Sequence, residues 1–351
     1  IGHEFAGDIV QVGKKWQDQF QPGQKFAQQP AIPGQMESPG YSYQWCGGDT
    51  QYCIFPNDII EAGCLWTFEG DGYFASSVAE PVSCVIGGYH TNYHTVPSTY
   101  EHVMGTKTGG NIIILGGCGP MGLGAISYGL TFENKPKRIV VTEINDERIN
   151  RAREVISEEE AAAHGVELIY VNTAAMQDQV KELLELTDGK GYDDVFVYIP
   201  NRGVCEMGNS IMAYDGCMNL FAGPTDMKFS SMINLYDCHY SRSKIIGSTG
   251  GTIDDMKEAI EKEAKGLIKS AVMITHVGGL DSVVETTKNL PEVPGGKKLV
   301  YTHINMPMTA IDDFGKLGES DPFFKELDAV CKKNKGLWSA EAENMLLEHF
   351  Q

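Results

Sequence analysis

The stretch NIIILGGCGPMGLGAISYGL, residues 111–130, constrains the fold more than any other part of this chain. Its unbroken aliphatic run is that of a strand covered on both faces; a half-exposed strand would alternate with polar residues. A glycine turn and an apolar segment of helical length follow. KRIVVTEINDERINRAREVI repeats strand then helix, and VELIYVN, DDVFVYIP, CMNLFAG and SKIIGS supply further short apolar strands. Alternating strands and helices predict an α/β chain with a doubly wound parallel sheet.

The turn itself, Gly117-Cys118-Gly119-Pro120-Met121-Gly122, fits G-x-G-x-x-G in the setting that gives the pattern meaning, after a strand and opening a helix. Gly117 makes the tight turn, Gly119 lets the backbone approach a pyrophosphate, and Gly122 lets the helix pack on the strand. The free N–H groups at the helix start, near Pro120 and Met121, favour phosphate. Glu143 ends the next strand, where a carboxylate accepts hydrogen bonds from a ribose diol and meets a 2′-phosphate as like charge. NAD(H) is therefore expected over NADP(H). Arg148 and Arg151 either offset Glu143 or are solvated helix residues.

A length of 351 residues suits two domains, and the net charge of −19 argues against a nucleic-acid or anionic-membrane surface. No apolar run reaches the roughly 18–20 residues of a membrane span. The nine cysteines are odd in number, widely spaced and without C-x-x-C, which reads as reduced thiols in a cytoplasmic protein.

Outside the central region the pattern changes. Residues 1–30 alternate apolar and polar positions between glycines, as short antiparallel strands do. Residues 30–75, including PGYSYQWCGGDTQYCIF, predict a further β-rich lobe with long loops. SSVAEPVSCVIGGYHTNYH carries apolar positions at helical spacing after Pro81. From about residue 309 the chain is polar and partly helical, with Ser339 as N-cap of a last helix.

Four motifs occur in order: Gly2-His3-Glu4; Gln21-Pro22-Gly23-Gln24-Lys25-Phe26; Ala79-Glu80-Pro81; then the glycine turn with its acidic strand end. This order resembles the zinc-dependent medium-chain dehydrogenase/reductases, on their polyol dehydrogenase side, over residues 1 to about 305. PGYSYQ, FAGPTD, THVGGLDSVVETTKNLPEVPGGKKLVYTH and the tail resemble, more narrowly, bacterial L-sorbose-1-phosphate reductases. The resemblance implies a discontinuous GroES-like catalytic domain, residues 1–92 and 251–308, around a Rossmann domain at 93–250, with an extension at 309–351. In that family G-H-E follows strands bearing a cysteine zinc ligand, so the sequence is expected to start beyond that cysteine.

What the resemblance implies for chemistry centres on zinc. His3 would ligate through a ring nitrogen, with Glu4 and Glu80 as carboxylate ligands or their immediate neighbours. The expected reaction is reversible ketone–alcohol interconversion on a polyol or sugar phosphate, L-sorbose 1-phosphate to D-glucitol 6-phosphate, in a homodimer or homotetramer. A zinc-free quinone or enone reductase and a non-catalytic NAD(H)-binding regulator are the alternatives. Cys46, Cys53 and Cys64 are too far apart for a zinc knuckle, and Tyr41, Tyr43, Trp45, Tyr52 and Phe55 are expected to hold their lobe by aromatic packing. Cys84 reads as core. Further candidates are His90 and His94, one turn apart if helical; Asn201 and Arg202 at a strand end; His239, Tyr240 and Arg242; and His276.

Overall fold

A three-stranded antiparallel sheet opens the chain in the computed structural model, which describes residues 1–70 and 72–350. Its strands are β1 (Ala6–Asp8), β2 (Lys25–Gln28) and β3 (Leu65–Phe68), in the order β1-β2-β3. The turn at Gly23, with φ +86°, reverses the chain into β2. Phe5, Phe26 and Phe55 close an aromatic cluster on this sheet, with ring centroids 5.1–6.0 Å apart.

Of residues 30–75, expected as a β-rich lobe with long loops, Leu65–Phe68 form a strand and the loops are long, but residues 30–64 are not β-rich. They contain no strand and a single short helix, Asn57–Glu61, the rest being turns. Their Gly, Pro and Ser content favours turns over an extended ladder. Phe55 and half-buried Tyr43, which donates to Asp58 at 2.5 Å, do pack inward. Tyr41, Trp45 and Tyr52 are exposed instead.

The chain divides into two units, Ile1–Ser83 with Gly251–Gln351, and Cys84–Gly250. The first division falls inside the helix Ala79–Thr91. The second unit starts with the hairpin β4 (Tyr93–Thr95) and β5 (His102–Met104). Its sheet comprises β6 (Asn111–Leu115), β7 (Arg138–Glu143), β8 (Glu167–Asn172), β9 (Tyr192–Val197), β10 (Met212–Leu220) and β11 (Lys244–Gly247). All pairings are parallel, in the order β11-β10-β9-β6-β7-β8. The order reverses next to β6, the crevice where doubly wound sheets take their ligands.

Ile112 to Leu115 are fully buried, as a doubly covered strand requires. Ile113, Leu115, Val140, Val195 and Met218 form one cluster across four strands. Each such side chain contributes roughly 1.5–3 kcal/mol by leaving water, enough to fix the register of the sheet.

The chain then returns to the first unit as β12 (Ile274–Gly279), β13 (Lys297–Tyr301) and β14 (Thr309–Ala310), in the order β13-β12-β14. Residues beyond 309 group with this unit. Ser339 Oγ accepts from Ala342 N at 3.2 Å and caps the helix Ala340–Phe350. From that helix the fully buried Glu343 accepts from Tyr73 N at 2.6 Å, Phe74 N at 3.0 Å and the Tyr301 hydroxyl at 2.7 Å. Trp338, also fully buried, donates to the Tyr301 oxygen at 2.8 Å.

Candidate active site

His3 and Glu4 precede β1 on a segment fixed through its backbone. Asp49 N donates to Ile1 O and Gly48 N to Gly2 O, both at 2.8 Å, and the buried Gln28 amide of β2 donates to His3 O. Glu80 lies in the first turn of the helix Ala79–Thr91, where the helix dipole favours a carboxylate. That helix is anchored by Val82, Val85, Ile86 and Tyr89, all buried.

These elements bring three ligand-type side chains together. His3 Nε2 lies 3.7 Å from Glu80 Oε2 and 3.9 Å from Glu4 Oε1. One ligand atom from each of the three lies within 4.8 Å of the others. Zinc bonds of about 2.0–2.2 Å at tetrahedral angles separate ligand atoms by about 3.4 Å, so the triangle is slightly wider than a closed site. Two carboxylates and an imidazole form a borderline-hard donor set that suits zinc.

Burial holds the His3 ring below its ordinary pKa against the pull of Glu4, with Lys297 reinforcing the shift. A neutral imidazole is the form that ligates a metal. Lys297, on β13, sits 2.5 Å from Glu4 Oε1. The Tyr41 ring lies against His3 at a tilt of 32°, with centroids 4.7 Å apart and its hydroxyl 3.5 Å from Nε2. Neither Lys297 nor a site role for Tyr41 is legible in the local sequence, because both contacts are long-range.

In the second unit the glycine turn has distinct demands at each position. A Cβ on Gly122 would lie 2.3 Å from Gly117 O, and one on Gly117 would lie 2.7 Å from Val141 Cγ1. A Cβ on Gly119 would meet nothing within 4 Å, so this position faces open space. Gly119 precedes the ten-residue helix Pro120–Gly129, with Pro120 at its first position and Met121 next. Glu143 at the end of β7 is buried; its Oε1 accepts from Ile144 N at 2.8 Å, and Arg148 Nη1 lies 3.8 Å from its Oε2. Open backbone at a helix start with a carboxylate at the next strand end is a cradle that fits a dinucleotide.

The other candidates lie apart from the triangle in sequence, with the following contacts. The helix ends at Thr91, and Asn92 is held by Asp194 Oδ1 at 2.7 Å, so His94 lies on β4 and shares no helix face with His90. His94 is buried, with Nε2 3.1 Å from Asp194 and Nδ1 3.0 Å from Asp215 O. His90 Nε2 lies 3.3 Å from the Tyr128 hydroxyl. Asn201 caps the helix Arg202–Ser210 through Val204 N at 3.2 Å, and Arg202 lies over Phe229. His239 and Tyr240 belong to the short helix Leu235–Tyr240, while Arg242 reaches Thr99 O at 3.3 Å. His276 bonds Thr275 Oγ1 at 2.8 Å. Cys84 is partly buried.

The zinc-binding dehydrogenase family model matches residues 120–265. Mannitol-1-phosphate 5-dehydrogenase of Aliivibrio fischeri is 48% identical over 351 residues, covering 99% of this chain and 83% of the relative. The chain belongs to the zinc-binding dehydrogenase family. L-sorbose 1-phosphate reductase of Klebsiella pneumoniae is 43% identical over 352 residues, covering 99% of this dehydrogenase and 82% of the relative. Among solved structures, a Sinorhizobium meliloti zinc-binding dehydrogenase with NADP bound superposes at a TM-score of 0.68, with 18% identity over 85% of this chain and 82% of that one. The 2R,3R-butanediol dehydrogenase of Bacillus subtilis superposes at 0.62, with 20% identity over 83% and 76%. The dehydrogenase is thus an oxidoreductase. Among its described residues no helix is long and apolar enough to cross a membrane.

Proposed function

We propose that this dehydrogenase interconverts a polyol phosphate and a ketose phosphate with NAD(H). L-sorbose 1-phosphate and D-glucitol 6-phosphate form the first pair to test, and D-mannitol 1-phosphate is the second alcohol. The observation that carries the reading is the His3–Glu4–Glu80 triangle, in a chain whose relatives are named for mannitol 1-phosphate and L-sorbose 1-phosphate. When bound, zinc supplies Lewis acidity to the substrate oxygen, and the nicotinamide takes or gives the hydride.

The chain's own residues then have assigned tasks. His3 and Glu80 hold the cation, and Glu4 shares its charge between cation and Lys297. Gly117, Gly119 and Gly122 shape the turn that admits the pyrophosphate, and the amides after Pro120 and Met121 receive it. Glu143 takes the ribose diol. Its carboxylate favours NAD(H), because a 2′-phosphate would bring like charge to a buried group; Arg148, on the exposed side, offsets this only in part.

The test is an assay of NADH oxidation with L-sorbose 1-phosphate, and of NAD+ reduction with D-glucitol 6-phosphate and D-mannitol 1-phosphate, before and after chelation. Turnover that chelation abolishes and zinc restores supports the proposal. Chelator-resistant turnover, or none with any of the three, overturns it.

A further inference from the structure

We infer that Tyr41 is a substrate-contacting residue, whose phenol hydroxyl, held beside the His3 imidazole at the rim of the His3–Glu4–Glu80 triangle, donates a hydrogen bond to the substrate oxygen taken up by the cation. The inference rests on the proposed cation site and adds a residue to it.

The first support is the hydroxyl's position. It lies 3.5 Å from His3 Nε2, where the two carboxylate oxygens lie at 3.7 and 3.9 Å. The phenol oxygen thus stands at the same spacing from the imidazole nitrogen as the other two corners.

A second, independent support is the backbone that delivers the ring. Gly40 adopts φ +82°, and a Cβ there would lie 2.3 Å from Gly2 O and 2.8 Å from His3 N. Only a glycine permits this approach, and it pins residue 41 against the residue that carries the imidazole. Gly40 N donates to Cys46 O at 2.9 Å and closes the loop. The ring itself is 70% exposed, so packing into a core does not explain its placement.

Carboxylates and a neutral imidazole nitrogen accept, and the Lys297 ammonium already serves Glu4. An alcohol or carbonyl oxygen held by a cation retains a lone pair that a neutral phenol can satisfy.

The test compares wild type, Tyr41→Phe and Tyr41→Leu, each loaded with cobalt(II) and titrated with D-glucitol 6-phosphate and D-mannitol 1-phosphate by visible absorption. Cobalt affinity is measured separately by chelator competition. Loss of a hydrogen bond to a cation-held oxygen is expected to weaken binding of the responding polyol phosphate about tenfold in Tyr41→Phe, with a matching rise in KM and cobalt affinity within about twofold. Tyr41→Leu should weaken it further, through lost ring contact. Equal titration of wild type and Tyr41→Phe overturns the inference alone. So does a collapse of cobalt affinity in Tyr41→Phe, which makes Tyr41 a ligand instead. A wild type that takes no cobalt, or gives no spectral response to either polyol phosphate, overturns it together with the proposed function.

Discussion

The Lys297 ammonium lies 2.5 Å from Glu4 Oε1, joining residues 293 positions apart at the edge of the candidate cation site. An ammonium and a divalent cation placed there share the same carboxylate, and repel each other. Replacing Lys297 with Met removes the competing charge and keeps the aliphatic stem. At partly exposed separations this repulsion is on the order of 1 kcal/mol, so zinc should bind roughly fivefold more tightly in Lys297→Met. The gain should shrink as salt rises. Chelator competition at two ionic strengths reads both effects; unchanged or weaker binding contradicts the shared-carboxylate geometry.

Gly119 and Gly122 separate a ligand requirement from a folding requirement. Gly119→Ala adds a methyl to open space at φ −81°. Its apo melting temperature should therefore stay close to wild type, while NADH binding weakens at least about tenfold through obstruction of the phosphate approach. Gly122→Ala drives its methyl into the Gly117 carbonyl and should lower the apo melting temperature itself. Thermal melts and NADH fluorescence titration distinguish the two; a Gly119→Ala variant with wild-type NADH affinity removes the turn from the cofactor site.

His94 gives the second unit a pH dependence. Burial alone would lower its pKa, but the hydrogen bond and charge of Asp194, with the Asp215 carbonyl, raise it above 6.5, against Lys244. Asp215 itself is ion-paired to Lys244 at 2.8 Å. A folded-state pKa above the unfolded value means this stabilisation is complete below about pH 6.5 and is lost as pH rises through the folded value. His94→Gln should flatten that part of the stability profile. Urea midpoints from pH 5.5 to 8.5 measure it, and parallel wild-type and variant profiles would contradict the assignment.

Glu343 holds the C-terminal helix by accepting three hydrogen bonds while fully buried. Glu343→Ala leaves Tyr73 N, Phe74 N and the Tyr301 hydroxyl short of an acceptor and should destabilise the first unit by about 2–4 kcal/mol. Glu343→Gln, which preserves an acceptor oxygen, should lose less. Urea denaturation reads the difference.

The doubly wound sheet was legible because Ile112 to Leu115 are buried on both faces, which leaves the strand no polar positions. Gly117, Gly119 and Gly122 were legible because close approach is a property of residue type. The triangle was legible only through resemblance, since His3 and Glu80 come from separate elements and no local spacing joins them. His90 and His94 would share a face only in a continuous helix; the helix ends at Thr91, and His94 lies on β4. The stretch PGYSYQWCGGDTQYCIF folds as turns and coil, in keeping with its glycines, proline and serine. Tyr41 illustrates the consequence, for its proximity to His3 depends on Gly40 meeting Gly2 across the loop.

The most direct test of the central claim is anomalous diffraction at the zinc edge from crystals of the zinc-loaded protein. The account predicts a single-site peak about 2.0–2.2 Å from His3 Nε2 and from a Glu80 oxygen, absent in His3→Ala. Zinc located away from these residues, or an unchanged peak in His3→Ala, would contradict it.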